Sequence, residues 1–144
     1  MIRQALVASQ AGAEVPFAIL EADSCKAVGS TRYLDVQPEH RTLEIGWTWI
    51  GPRWRRTAIN TECKLLLLAH AFEVLAVHRV TLKTDARNVR SQRAIERIGG
   101  VREGVLRRHR ICWDGSVRDT VYYGIIDEEW PAVKARLEAR LGAG

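Results

Sequence analysis

The sequence predicts a mixed α/β fold, an α+β mixed sheet with the element order β-β-β-α-β-α-β-β-α. Three observations carry this. Alternating apolar positions fill the first third of the chain and return near its end. A helical apolar period takes over from Asn60. A short strand, His78–Asp85, stands between two helical stretches. Strands joined through a helix run parallel, so Leu43–Ile50 and His78–Asp85 are expected as a parallel neighbouring pair.

Pro16–Ala22 reads as a short strand, followed by the polar turn Asp23–Cys25. Lys26–Val36 is a second strand, and Gln37–Thr42 the next turn. Leu43–Ile50 alternates: Leu43, Ile45, Trp47 and Trp49 share one face, Glu44, Gly46 and Thr48 the other. These three strands form an antiparallel meander. From Asn60, the positions Leu65, Leu68, Ala69, Phe72 and Leu75 make one helical face. His78–Asp85 is a strand with Val80 and Leu82 inward. Asn88–Gly100 is a helix with Asn88 as N-cap and Gly99–Gly100 as its stop. Val101–Trp113 and Arg118–Asp127 pair across the turn Asp114–Ser116, and a last helix carries Pro131 in its first turn.

The length of 144 residues fits a single domain, and 47% hydrophobic with 27% charged residues is enough to bury a core without staples. Cys25, Cys63 and Cys112 have no short spacing, which argues against a disulfide framework and a zinc site and suits the reducing cytoplasm. His40, His70, His78 and His109 form no ligand pair, so no metal is expected. No apolar run approaches the ~20 residues of a membrane span, and the start of the chain is no signal peptide. The net charge of +5, mostly arginine, suits a phosphorylated small molecule, an acidic partner or nucleic acid. None of the familiar nucleic-acid reader motifs is present, which makes nucleic acid the weakest of the three.

The stretch GPRWRRTAIN, Gly51–Asn60, joins a strand to a helix and holds Arg53, Arg55 and Arg56. The first amides of a helix lack intrahelical acceptors and lie at the positive end of the dipole, so an anion is their natural ligand. Three arginines suit a diphosphate better than a carboxylate. A solvated basic loop before a self-capped helix is the other reading, and the spacing leaves both open.

The loop RWRRTA, with Arg53 and Ala58 in place and Arg56 where a glycine is usual, and the block TDARNVRSQRAIERIGGVREGVLR, with its Asn-x-x-Ser spacing at Asn88 and Ser91, carry a family resemblance. From Pro16 onward the chain resembles the GNAT superfamily of N-acetyltransferases, most closely its RimJ/RimL-type branch. The resemblance implies a GNAT-like acyl-CoA N-acyltransferase fold with a splayed parallel strand pair, in one domain spanning residues 1–144. The family usually starts with one more strand and helix. Here residues 1–15 read as the tail of a second helix, so that strand and helix are expected to be missing and the open sheet edge to invite a homodimer.

The resemblance further implies acetyl-CoA as cosubstrate, lying in the split between the parallel strands. Pantetheine amides would pair near Trp49 and Ile50. The pyrophosphate would rest on Arg53, Arg55, Arg56, Thr57 and Ala58 and on the amides of Ile59 and Asn60. Asn88 would bond the pantetheine arm, and Ser91 would stand near the sulfur as general acid, against a first-turn helix-capping role. Glu44 is the candidate base, against a salt-bridged strand carboxylate; Asp119 and His109 stand in reserve. Trp47 and Trp49 wall the cleft or pack the core, and Trp54 stacks near the cofactor or covers the neighbouring helix. The implied acceptor is a primary amine: a protein N-terminus, such as that of a ribosomal protein, or a small amine. A non-catalytic acyl-CoA-binding module is the alternative.

Overall fold

The computed structural model describes residues 14–143. Six strands form one sheet: β1 (Glu14–Leu20), β2 (Ala27–Gln37), β3 (Thr42–Ile50), β4 (Arg79–Asp85), β5 (Val101–Ile111) and β6 (Val117–Ile126), in spatial order β1-β2-β3-β4-β6-β5. The helices are α1 (Ile59–Ala69, continued by a π turn over His70–Val74), α2 (Val89–Arg97) and α3 (Trp130–Gly142). The element order, the antiparallel meander and the parallel β3–β4 pair are those the sequence predicts. The expected helix tail before β1 lies in a segment mostly outside the described residues.

One core joins the three helices to a single face of the sheet. Leu67 and Leu68 of α1, Ile95 of α2, and Val133 and Leu137 of α3 are buried with Leu43, Ile45, Val80, Leu82, Val121, Tyr123 and Ile125 from the strands. Fully burying such a side chain is worth about 1.5–3 kcal/mol, so this layer dominates the favourable side of folding. The Tyr33 hydroxyl donates to the Leu67 carbonyl at 2.6 Å, tying β2 to α1 without leaving a buried polar group unpaired. On the opposite face the strands are more open. Trp47 and Trp49 remain 56% and 55% exposed, and most of β5 faces solvent.

The helical face expected at Leu65, Leu68, Ala69, Phe72 and Leu75 is corrected. The buried positions are Lys64, Leu67, Leu68 and Ala71, while Leu65, Ala69 and Phe72 are half-buried and Leu75 is exposed. The sheet and α3 press on adjoining flanks of α1; Phe72 stacks on Trp130 of α3 at 5.4 Å. The stripe is therefore wider than one period suggests, and the π turn carries Leu75 out of it.

At the other junctions the local chemistry acts as expected. Val80 and Leu82 point inward. Gly99, at φ +108°, ends α2 in a conformation only glycine adopts easily, and a Cβ there would stand 2.7 Å from Val133 of α3. Pro131 sits in the first turn of α3.

Candidate active site

The site is built where β3 and β4 part. They pair only over Thr42↔Arg79, Leu43↔Val80 and Glu44↔Thr81; both strands then run on, to Ile50 and to Asp85, without each other. A bulge in β3 accompanies the separation. Arg32 of β2 faces Gly46 and Ser30 faces Trp49, so Trp47 and Thr48 together oppose Thr31. Trp47 has φ +50°, an uncommon conformation for a bulky residue.

The bulge corrects the expected alternation. Leu43 and Ile45 face the helices, but the extra residue swings Trp47 and Trp49 to the other face. There Trp47 lies under the Arg32 guanidinium at 5.3 Å. Thr48 turns toward α1 instead, accepting a hydrogen bond from Lys64 Nζ at 2.6 Å.

At the end of β3 the chain enters a 3-10 turn, Pro52–Trp54, and then α1. Ala58, the N-cap, offers no side-chain cap; the Ile59 amide has only a long 3.4 Å contact to the Thr57 hydroxyl, which itself donates to the Trp54 carbonyl at 2.7 Å. The self-capped reading of this helix is thereby corrected. Arg53, Arg55 and Arg56 are exposed, and among the described residues none is in an ion pair. Arg55 Nε donates to the Ile50 carbonyl at 3.1 Å, holding its charge beside the strand end. Arg56 has φ +64°, the left-handed conformation that suits a glycine. The arrangement can hold an anion: amides without acceptors, a positive dipole end and three guanidinium groups outside any of these ion pairs.

Trp54 packs back on the loop itself and not on the neighbouring helix. Its indole N–H donates to Glu21 Oε1 at 2.7 Å, Lys26 stands 5.7 Å over its ring, and its ring edge closes on Gly51. It buttresses the loop against the β1–β2 turn.

At the end of β4, Asp85 accepts from the Arg87 amide at 2.8 Å and from the Arg87 guanidinium at 2.8 Å. These bonds lower its pKa to about 2 and fix the turn. Asn88 then caps α2, its Oδ1 accepting from the Ser91 amide at 3.0 Å. The Ser91 hydroxyl makes no hydrogen bond among the described residues, so it is not a capping group. The loop Gly51–Ala58 and the pair Asn88/Ser91 thus stand at the carboxyl ends of the two diverging strands, one on each side of the split, where ligands of open α/β sheets bind.

Glu44, the last paired residue of β3, is 6% exposed and forms an ion pair with Lys83 of β4 at 2.7 Å. Lys83 is paired in register with Tyr122 and lies 5.7 Å over its ring; His109 meets Tyr122 edge-on at 5.9 Å. Glu44, Lys83, Tyr122 and His109 therefore form a row across β3, β4, β6 and β5. His109 Nδ1 is 3.0 Å from Thr120 Oγ1, and partial burial together with Arg110, Lys83 and Arg118 pushes its pKa below the usual value. Asp119 is structural: its carboxylate accepts from the Arg108 amide at 2.7 Å, at a second bulge where Arg108 has φ +51°. Sequence reasoning missed Lys83, Tyr122, Lys64 and Thr48. Lys64 alone left a signal, as a lysine beside a run of four leucines.

The family Acetyltransferase (GNAT) domain matches residues 1–101. The chain belongs to the GNAT acetyltransferases. Among relatives of this GNAT domain, the "Putative ribosomal N-acetyltransferase YdaF" of Bacillus subtilis is 34% identical over 95 residues, covering 66% of the chain and 51% of that protein. The chain thus spans about half the length of this curated relative. A "putative acetyltransferase" from T. thermophilus has a crystal structure that superposes with TM-score 0.88 at 46% identity, covering 97% of the chain and 71% of that one. Mycobacterium smegmatis RimJ, solved in complex with CoA-disulfide, superposes with TM-score 0.82 at 26% identity over 96% of the chain and 65% of its own. The mixed sheet with its parallel pair is the fold of these acetyltransferases, and acetyl-CoA is the cosubstrate of the family.

Proposed function

We propose that this GNAT domain transfers an acetyl group from acetyl-CoA to a primary amine by direct attack. One observation carries the reading: β3 and β4 diverge at a bulge, and the split ends on a helix N-terminus without an N-cap side chain, beside three arginines that form no ion pair among the described residues. Arg53, Arg55 and Arg56, with Thr57, Ala58 and the amides of Ile59 and Asn60, would hold the pyrophosphate. The edge of β3 at Trp49 and Ile50, which β4 leaves free and where the Ile50 carbonyl accepts from Arg55, would take the pantetheine amides as a short added strand. Asn88 would bond that arm through its amide NH2, its oxygen being used as the cap.

In the reaction the amine nitrogen bonds to the acetyl carbon and the carbon–sulfur bond breaks. A base takes the amine's proton and an acid protonates the departing thiolate. Ser91, whose hydroxyl is uncommitted, is the proposed acid. Glu44 is the proposed base, although one of its oxygens is engaged by Lys83. That ion pair favours a second reading in which His109 takes the proton, because partial burial and the nearby Arg110, Lys83 and Arg118 favour its neutral imidazole.

The likeness to RimJ and to the putative ribosomal N-acetyltransferase of Bacillus subtilis supports the RimJ/RimL branch; the acceptor proposed with it is a protein α-amine, met in the cytoplasm. A small amine is the other acceptor. The deciding measurement is thioester consumption over a panel of N-terminal peptides and small amines. Ser91→Ala should lower turnover by about 10²–10⁴-fold with little change in acetyl-CoA affinity, since an acid acts on charge that forms only in the transition state. Glu44→Gln and His109→Gln separate the two bases, because loss of the true one removes the acid limb of the pH–rate profile. No turnover by the unmutated chain with any amine, despite CoA binding, would leave a non-catalytic acyl-CoA-binding module.

A further inference from the structure

Lys64 is out of place. It lies in the inner stripe of α1 with Leu67, Leu68 and Ala71 and is 7% exposed. Among the described residues no carboxylate pairs with it, and its one hydrogen bond runs to Thr48 Oγ1 at 2.6 Å. Burial pushes its pKa down to about 8. An ammonium buried without a counter-ion costs stability that a methionine of similar length would not.

The hydroxyl it grips belongs to the bulge. Thr48 sits at the rim beside Trp47, and its Oγ1 is 2.9 Å from Thr31 Oγ1, which in turn lies 3.5 Å from the Gly46 carbonyl. Lysine can only donate, so Thr48 accepts from Lys64; either hydroxyl can donate in the Thr48–Thr31 bond, and when Thr48 does, Thr31 is left to donate, more weakly, to the Gly46 carbonyl. The series begins on α1, about one and a half turns below its N-terminus, and ends on the peptide where β3 leaves β4.

We propose that Lys64 is a positioning residue for acetyl transfer: through Thr48 and Thr31 it holds the bulge of β3 in register with the helix whose N-terminus receives the pyrophosphate. The inference rests on the transferase reading above. The helix end would anchor one part of CoA and the bulged strand the other, and a ligand that spans both needs them at a fixed separation.

The test measures CoA and ADP binding by calorimetry, and turnover with the best acceptor, for the wild type, Lys64→Met, Thr48→Val and Thr48→Ser. ADP carries a pyrophosphate but reaches only the helix end. Thr48→Val and Lys64→Met should bind ADP like the wild type, bind CoA more weakly, and turn over about 10-fold or more slowly, since a misplacement of 1 Å can cost about 100-fold. Thr48→Ser keeps the hydroxyl and should behave like the wild type. Equal CoA affinity and turnover in all four proteins would overturn the proposal. So would a Thr48→Ser as impaired as Thr48→Val, because packing and not the hydroxyl would then matter. A wild type that binds no CoA would instead remove the transferase reading itself and this inference with it.

Discussion

Arg56 offers a clean separation of charge from conformation. Its φ of +64° places a long side chain in the left-handed region, which costs a non-glycine residue about 1–2 kcal/mol. Glycine would relieve that strain but gives back about 0.5–1 kcal/mol through its freer unfolded chain. Arg56→Gly should therefore stabilise the ligand-free protein by about 0.5–1 kcal/mol, roughly 2–3 °C in Tm at this size. Arg56→Ala keeps a Cβ and hence the strain, and should melt close to the wild type. Both variants lose the same cation. A charge-assisted hydrogen bond is worth about 1.5–3 kcal/mol at most, and exposure and salt reduce it, so CoA affinity should fall by about 10-fold in both. Thermal melts without ligand and calorimetry with CoA read the two effects independently. An Arg56→Gly variant no more stable than Arg56→Ala would refute the conformational argument; unchanged CoA affinity in both would refute the electrostatic one.

Replacing Arg53 and Arg55 together by alanine should weaken CoA binding while leaving phosphate-free pantetheine binding nearly unchanged, with a smaller difference at high salt; equal losses for both ligands would mean that the arginines do not read phosphate. Asn88→Ala should cost roughly 1 kcal/mol as a lost N-cap and also reduce CoA affinity, and a variant with normal affinity would reduce Asn88 to the cap alone. Lys64 makes stability depend on pH. Below about pH 8 it is charged both folded and unfolded, and the fold carries the whole burial penalty; between about 8 and 10.5 the folded state gives up a proton that the unfolded chain keeps, so stability rises with pH. Urea midpoints for the wild type and Lys64→Met at about pH 7.5 and 9.5 should therefore move toward each other as pH rises. A constant difference would mean that Lys64 is not buried in its charged form.

Much of this molecule was legible in its sequence because the signals are local. Alternation over Leu43–Ile45, the cap at Asn88, the glycine stop at Gly99 and the proline at Pro131 each depend on a few neighbouring residues. The charge of the loop Arg53–Arg56 and its place between a strand and a helix were equally plain. What only the tertiary structure decided is pairing. The face taken by Trp47 and Trp49 depends on one extra residue in β3, and that residue is extra only in register against β2, which the alternation within β3 does not reveal. The two buried flanks of α1 depend on α3 arriving beside the sheet. The Glu44–Lys83 ion pair depends on the register of β3 against β4, and the row onward to His109 depends on β6 inserting between β4 and β5. Lys64 shows the same limit most sharply: one lysine beside four leucines reads as a surface residue by its charge. Only the hydroxyl of Thr48, delivered by a bulge in another element, explains why the chain buries it.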